Sequence, residues 1–446
     1  MSLIVQCIDL LSFCLVTIWM IKGVKNLINT QKTVYFILIL FYLIYVLPVG
    51  IDCIITYPSY ETWPQFQGFY VSYNDPLTRI VYDIWMVVTY FLVDRLGSGR
   101  LRICLGTSRQ GNNFSNTGIY TVPTEKKENI DRTLYMILFF VALLPVLLVI
   151  MKKLPLGILY TPLWLDNGIY NVIGTSLQTT YYYLQKLSYV SIVAAFLCLV
   201  NGKKKKNYLT KAFLIVLIYA LTCLEAKRAI YAIVLIMVVA YLFVSAEMKR
   251  STKMVVLMLS VSAVVGLLFF TTEYMMEFRH YGINYSPVNT YTQIKMDFMR
   301  DDRVKFVIYK ALNFEGIVSY PFQSYITQLT SFFPLDLFLP VEGYNKFFTA
   351  ALLGVERGSV SGWVTTSIFD EALSNMGIFS VVIVPMFLGY ISKITDEASN
   401  RVKVIAIVAV ALLFMLNLGY IMWYIQFCFL VLYLDKKLYE YKNEVK

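Results

Sequence analysis

Stretches of about twenty apolar residues recur from one end of this 446-residue chain to the other, and that recurrence limits its fold more than any other feature. Hydrophobic residues make up 58% of the sequence and the mean hydropathy is +0.63, more apolar side chain than one water-soluble core can bury. Helices spanning a bilayer are accordingly expected at 3–21, 33–55, 80–94, 133–151, 183–200, 209–225, 228–245, 254–272, 376–392, 403–418 and 419–434. The expected fold class is all-α, a polytopic membrane protein of about 11 transmembrane helices. Residues 1–272 then hold eight spans and an outer loop at 56–78, residues 273–375 form a large loop with amphipathic helices, and residues 376–446 hold three spans and a tail.

The first stretch, MSLIVQCIDLLSFCLVTIWMIK, has neither a basic n-region nor a small-residue cleavage site and is expected to be a retained helix. The seven cysteines show no CxxC or ligand spacing and fall mostly within apolar runs, so they are expected to pack as small hydrophobes without disulfides. The 35 Tyr and 30 Phe suit rings placed at two membrane interfaces, and a genome biased toward A and T gives the same excess.

Most Lys and Arg fall in every second connection: 22–32, 95–132, 201–211, 246–253, 393–403 and 435–446. The positive-inside rule places these in the cytoplasm, with the N-terminus outside and the C-terminus inside. Residues 212–245 are almost wholly apolar except for Glu225, Lys227 and Arg228. As one helix they would run about 50 Å and put two basic segments on opposite sides, so two helices turning outward at 225–228 are expected. Two readings of these charges stand. Lys227 and Arg228 reach lipid phosphates while Glu225 pairs with one of them; or, since the hairpin has almost no loop to anchor, they form an anion site.

Two outer segments are rich in candidates. TYPSYETWPQFQGFYVSYNDPLTRIVYDI, at 56–84, joins aromatic faces to amides and carboxylates, which suits either carbohydrate or an interfacial aromatic belt. The charges of 273–375 nearly balance, which excludes a nucleic-acid patch. Ser286–Pro287 is expected to open an amphipathic helix running to about Leu312. YITQLTSFFPLDLFLPV, broken by Pro334 and Pro340, is expected along the outer membrane surface, roofing a cavity. Arg279 and His280, the only histidine, lie at the start of this segment; Arg357, Trp363, Asp370 and Glu371 lie near its end. Asp370 and Glu371 read as the first turn of the next helix, where carboxylates suit the dipole, and being adjacent they point about 100° apart. No Walker loop, HExxH, GxSxG or dinucleotide fingerprint occurs, and no carboxylate cluster has metal-ligand spacing.

The layout, the segment FQGFYVSYNDPLTRIVYD before the third span, the Lys-Arg hairpin and the stretch GSVSGWVTTSIFDEALSNMGIFSVVIVPMFLGYI resemble the bacterial Wzy-type O-antigen or oligosaccharide repeat-unit polymerases, of glycosyltransferase C-like fold. The resemblance implies an inner-membrane enzyme that transfers a glycan from undecaprenyl pyrophosphate onto the non-reducing end of another lipid-linked repeat unit at the periplasmic face. It implies no cofactor or metal and no nucleic-acid partner; the partners implied are the lipid-linked oligosaccharides, membrane lipids and a chain-length regulator protein. Lys227, Arg228, Arg279 and Arg357 are then expected at the pyrophosphate, His280 and Asp370, followed by Glu371, as the base, Glu225 orienting Arg228, and Tyr70, Tyr73, Asp75 and Trp363 on sugar. The alternatives are an O-antigen ligase or other lipid-linked glycosyltransferase, and a lipid-linked oligosaccharide flippase or other transporter. A transporter needs polar groups midway along several helices, and Asp9 and Asp83 are the main deep charges legible in the sequence.

Overall fold

The computed structural model describes residues 3–54, 67–101, 299–332, 343–360, 364–397 and 400–415, with single residues at 151, 251, 255, 262 and 295. The chain divides into two compact units, one of Met1–Arg100 with Leu235–Gln426 and one of Leu101–Val234 with Phe427–Lys446; the elements below all belong to the first. They are helices in chain order: α1 (Leu3–Thr30), α2 (Thr33–Phe41), α3 (Leu47–Ile54), α4 (Gln67–Asn74), α5 (Pro76–Gly97), α6 (Asp301–Leu312), α7 (Gln323–Phe332), α8 (Tyr344–Leu353), α9 (Ile368–Met376), α10 (Ser380–Glu397) and α11 (Asn400–Met415). Among the described residues there is no strand.

Among the described residues, four helical stretches are long and apolar enough to cross a membrane: Leu3–Thr30, Thr33–Cys53, Pro76–Gly97 and Ile368–Asp396. They mark the chain as a helical membrane protein; three of them contain the expected spans at 3–21, 80–94 and 376–392 and extend beyond at least one end, and Thr33–Cys53 matches the expected 33–55 to within two residues. The expected span at 403–418 overlaps α11; those at 133–151, 183–200, 209–225, 228–245, 254–272 and 419–434 lie outside the described residues or touch them only at single positions. On α1, Val5, Asp9, Val16, Gly23 and Leu27 are buried at helical spacing, while Leu10, Leu11, Leu15, Ile18 and Ile21 are exposed as a lipid-facing side would be.

The second span is a continuous rod with one irregularity. Between α2 and α3, Tyr42–Val46 form a π turn in which the Leu47 N–H reaches back to the Tyr42 carbonyl. Pro48 follows at once and has no N–H to give the Ile44 carbonyl four residues before it. That carbonyl instead accepts the backbone N–H of Arg300 at 3.2 Å, and the Tyr45 carbonyl accepts the Tyr82 hydroxyl at 2.7 Å. The irregular turn is thus the place where a distant segment is fastened to the span.

This contact corrects the helix expected from Ser286 to Leu312. Lys295 is helical, but Met299 and Arg300 are not, and α6 starts afresh at Asp301, because the Arg300 N–H is used on Ile44 rather than within its own helix. Nor is α6 a surface helix: Asp301 through Ile308 are all buried.

Packing around α6 is of two kinds. Phe69 of α4, Phe306 and Val307 of α6, and Tyr344, Phe347, Phe348 and Leu352 of α8 form an apolar core. Deeper in the spans, the rings of Phe41, Tyr45, Trp85, Phe369 and Phe414 meet with centroids 5.0–6.5 Å apart, which joins α2, α5, α9 and α11. Small residues bring α5 and α10 together: a Cβ on Gly389 would come within 2.7 Å of the Leu96 Cβ.

Candidate functional site

Three cations surround the ring of Tyr73 on α4. Arg79 lies 4.7 Å from its centroid, Lys305 5.2 Å and Lys295 5.6 Å; Lys305 also lies 5.0 Å from the Tyr82 ring. Each has a carboxylate. Arg79 pairs with Asp9 of α1, and Lys295 pairs with Asp52 of α3 while lying 3.3 Å from Asp301 and 3.4 Å from Asp302. Lys305 bonds Asp301 at 2.7 Å. Removing this many charges from water is costly and is tolerated only because they neutralise one another. Between them lies a cavity of about 10 Å³, lined by Asp9, Val49, Asp52, Tyr73, Arg79, Tyr82, Asp83 and Lys305, with room for about one water.

One turn away, Arg300 and Arg303 donate to backbone carbonyls among the described residues. Arg300 donates through Nη1 to Met299 (2.8 Å) and through Nη2 to Met415 (2.9 Å). Arg303 donates through Nε to Thr365 (2.8 Å) and through Nη1 to Met299 (2.9 Å), with its guanidinium 5.7 Å from the Phe69 ring. Carbonyl dipoles orient an arginine without cancelling its charge.

Thr365 leads directly into α9, whose N-terminus is a capping box: the Ser367 N–H and hydroxyl both donate to Asp370 Oδ1, the former at 2.7 Å. Asp370 Oδ2 is buried with no hydrogen-bond partner among the described residues. Glu371 points elsewhere, accepting the Ser324 hydroxyl at 2.8 Å, with the Asn375 amide donating to the same Ser324 oxygen at 2.8 Å. Both carboxylates are therefore buried, on different sides of the helix.

Burial shapes the electrostatics of α6. It lowers the Arg300 guanidinium to about 9, with neighbouring Arg303 adding to the effect. Burial and then the Asp301 charge push the Asp302 carboxyl up. For Asp301, burial also acts upward, but Lys295 and Lys305 outweigh it and hold the carboxyl below its ordinary range.

Of the residues expected at a site, the structure brings Tyr73 into the charge cluster and Asp370 beside Arg303, which acts on it electrostatically. Tyr70 sits half-buried against the apolar core of α4, α6 and α8. Asp75 is the N-cap of α5, accepting from the Thr78 N–H at 2.9 Å ahead of Pro76, so its carboxylate is already used. Arg357 is remote from the cluster: it lies 4.2 Å over Phe347 and donates to the Ser319 hydroxyl at 2.7 Å. Glu225, Lys227, Arg228, Arg279, His280 and Trp363 lie outside the described residues.

Sequence reasoning missed Lys295, Arg300, Asp301, Asp302, Arg303 and Lys305, which it placed on an amphipathic surface helix. The signal was the density of charge in KMDFMRDDRVKFV, where opposite signs alternate among apolar residues. Among the described residues no group of three His, Cys, Asp or Glu side chains is placed to hold a metal ion. Comparison with protein-family models, curated proteins and solved structures finds no match to this chain.

Proposed function

We propose that this protein is a polymerase of lipid-linked glycan repeat units, acting at the outer face of a bacterial inner membrane through about 11 spans. The observation that carries the reading is the position of Arg303. It touches Phe69, from FQGFYVSYNDPLTRIVYD, and Thr365, from GSVSGWVTTSIFDEALSNMG, so two of the stretches that carry the resemblance meet at one cation although far apart in the chain. In this reading Arg300 and Arg303 supply positive field toward a departing lipid pyrophosphate, joined by Lys227, Arg228 and Arg279, with Arg357 a further candidate. Asp370, oriented through Ser367, and His280 are the candidate bases, with Glu371 behind them. Tyr70, Tyr73 and Trp363 are candidates for sugar contact. The pyrophosphate ester provides the driving force, so no nucleotide enters.

Deletion of the gene tests this. A strain lacking the polymerase still makes, flips and ligates one repeat unit, giving lipopolysaccharide with a single repeat and no ladder. A ligase deletion leaves bare core with polymer on the carrier lipid, and a flippase deletion traps units on the cytoplasmic side. Retention of the full ladder in a strain with no second polymerase gene overturns the proposal.

One observation favours a second reading, a transporter: Asp9, Asp52 and Asp83 come from three different membrane-spanning helices and line one cavity. Reconstituted protein distinguishes the two. A polymerase lengthens lipid-linked repeats in detergent without a membrane gradient, whereas a transporter has no product outside a sealed vesicle.

A further inference from the structure

Around Tyr73 five carboxylates share three cations, and one of the five, Asp83, has no cation within 4.0 Å among the described residues. Asp9 has Arg79, and Asp52 has Lys295, with Lys305 4.0 Å away. Lys305 itself is hydrogen-bonded to Asp301. Asp83, one turn beyond Arg79 on α5, lines the same cavity at 2% exposure, makes no ion pair within 4.0 Å among the described residues, and its Oδ2 has no hydrogen-bond partner there. An ionised carboxylate left this way inside a membrane span is costly, and three agents relieve the cost: a metal ion, a water or a proton.

The surroundings discriminate among them. A metal ion in this cavity would share it with the Arg79 guanidinium and the Lys305 ammonium, and the Tyr82 hydroxyl is already donated to the Tyr45 carbonyl. A water fits the volume of about 10 Å³ but carries no charge to balance Asp83. A proton balances it without occupying space, and leaves the water-sized cavity as the path by which the proton reaches Oδ2. We propose that Asp83 is a proton-binding site of the membrane bundle, loaded and unloaded through the cavity it shares with Asp9 and Asp52.

The step is a simple transfer: a hydronium or protonated donor gives its proton to Asp83 Oδ2, which becomes a neutral carboxyl and can donate to the single water beside it. Release reverses this when a cation of the surrounding chain turns toward Asp83. The charged, titratable and polar groups around it are Asp9 and Ser12 on α1, Asp52 and Cys53 on α3, Tyr73 on α4, Lys305 on α6, and Arg79 and Tyr82 on its own helix, with Asp301 and Asp302 of α6 acting on Tyr82. From α9, the near ring is Phe369 against Trp85, which does not titrate. Lys305 and Arg79 are the two cations able to change partners, so proton binding at Asp83 is coupled to how α6 and α1 hold α5. The assignment does not rest on the glycan chemistry proposed above, although Tyr73, a candidate for sugar contact there, lines the same cavity.

The test uses the full chain in detergent. Infrared spectra of the wild type are recorded across pH and compared with Asp83→Asn, whose amide keeps the shape but cannot bind the proton. The expected result is a protonated-carboxyl carbonyl band in the wild type that disappears on raising the pH and is missing from the variant. Thermal unfolding across the same range gives a second readout. A proton held by the folded state and released by the unfolded chain makes wild-type stability fall as pH rises, and Asp83→Asn loses that part of the slope. If Asp83→Asn does not fold, Asp83→Glu, which keeps a carboxyl at the site, takes its place: a band shifted in position or in its pH of loss assigns the proton to residue 83, and a band unchanged in both overturns the assignment. A wild type without a titrating carboxyl band, a variant with an unchanged band, or stabilisation by sodium over choline at equal ionic strength that Asp83→Asn abolishes would each overturn the assignment, the last in favour of a metal cation.

Discussion

Arg79 of the third span pairs with Asp9 of the first, and both side chains are 5% exposed or less. Removing one member leaves the other a buried charge without its ion-pair partner. Asp9→Ala and Arg79→Ala should each cost about 3–5 kcal/mol, while replacing both by apolar residues of similar volume should cost much less than the two combined. Thermal unfolding of the four proteins in one detergent measures the coupling, and additive losses would mean that the pair contributes nothing as a pair.

Asp301 and Asp302 are neighbours with opposite electrostatics, so their amide variants should diverge. Asp301, held low by Lys295 and Lys305, contributes stability above the ordinary Asp range that is lost as pH falls through its lower folded value. Asp302, pushed up, keeps a proton after the unfolded chain has released its own, so the stability linked to it is lost as pH rises above that range. At neutral pH, Asp301→Asn should lower the unfolding midpoint, and Asp302→Asn should leave it unchanged or raise it. Equal losses from both would contradict the assignment of partners.

Gly389 lets α10 lie directly on α5 at Leu96. The obstructing atom is a Cβ, which cannot swing away, so Gly389→Ala should destabilise by about 1–3 kcal/mol. Gly354, whose added Cβ would meet nothing within 4 Å, has a φ of +65° and caps α8. There an alanine should cost about 1 kcal/mol through the backbone alone. The same unfolding assay ranks the two, and a larger loss at Gly354 would reverse the account.

Arg303→Lys keeps the charge of the node between Phe69 and Thr365 but cannot donate from two nitrogens at fixed angles. Under the polymerase reading, this variant should fold, as judged by yield and unfolding midpoint, yet lose a hundredfold or more of its activity, about 2.7–4 kcal/mol of transition-state stabilisation. A full ladder from a strain expressing only Arg303→Lys at normal level would remove Arg303 from the site.

The proposed orientation is open to labelling. In a cysteine-free background, an impermeant thiol reagent added from the periplasm should modify a cysteine at Asn284 and spare one at Lys204. The reverse pattern would invert the topology.

Apolar runs located the four described helices that are long and apolar enough to cross a membrane, because a span needs length and hydropathy, and both are written residue by residue. They did not locate the helix start at Asp75-Pro76: Asp75 was expected on sugar and the span was expected from 80, although Asp and Pro in that order suit an N-cap and first turn. Nor did they locate the depth of α6. A segment as charged as RDDRVK reads as water-facing until its partners are known, and those partners, Asp52 and the Ile44 carbonyl, lie far away in the chain. The same holds for Asp370 and Glu371, whose positions in a first turn were legible while their burial against Ser367 and Ser324 was not.

Pro48 acts as an address. By withholding one N–H it leaves a single carbonyl open partway along a span whose other backbone groups are largely occupied by its own helix, and the Arg300 N–H is delivered to that carbonyl and held there. Moving the proline by one position would shift the opening by about 100° around the helix and about 1.5 Å along it, enough to turn it from the interior toward lipid. The depth at which a distant charged stretch is received thus rests on the placing of one imino acid, and sequences that retain RDDRVK but relocate that proline should assemble the cluster around Tyr73 differently or not at all.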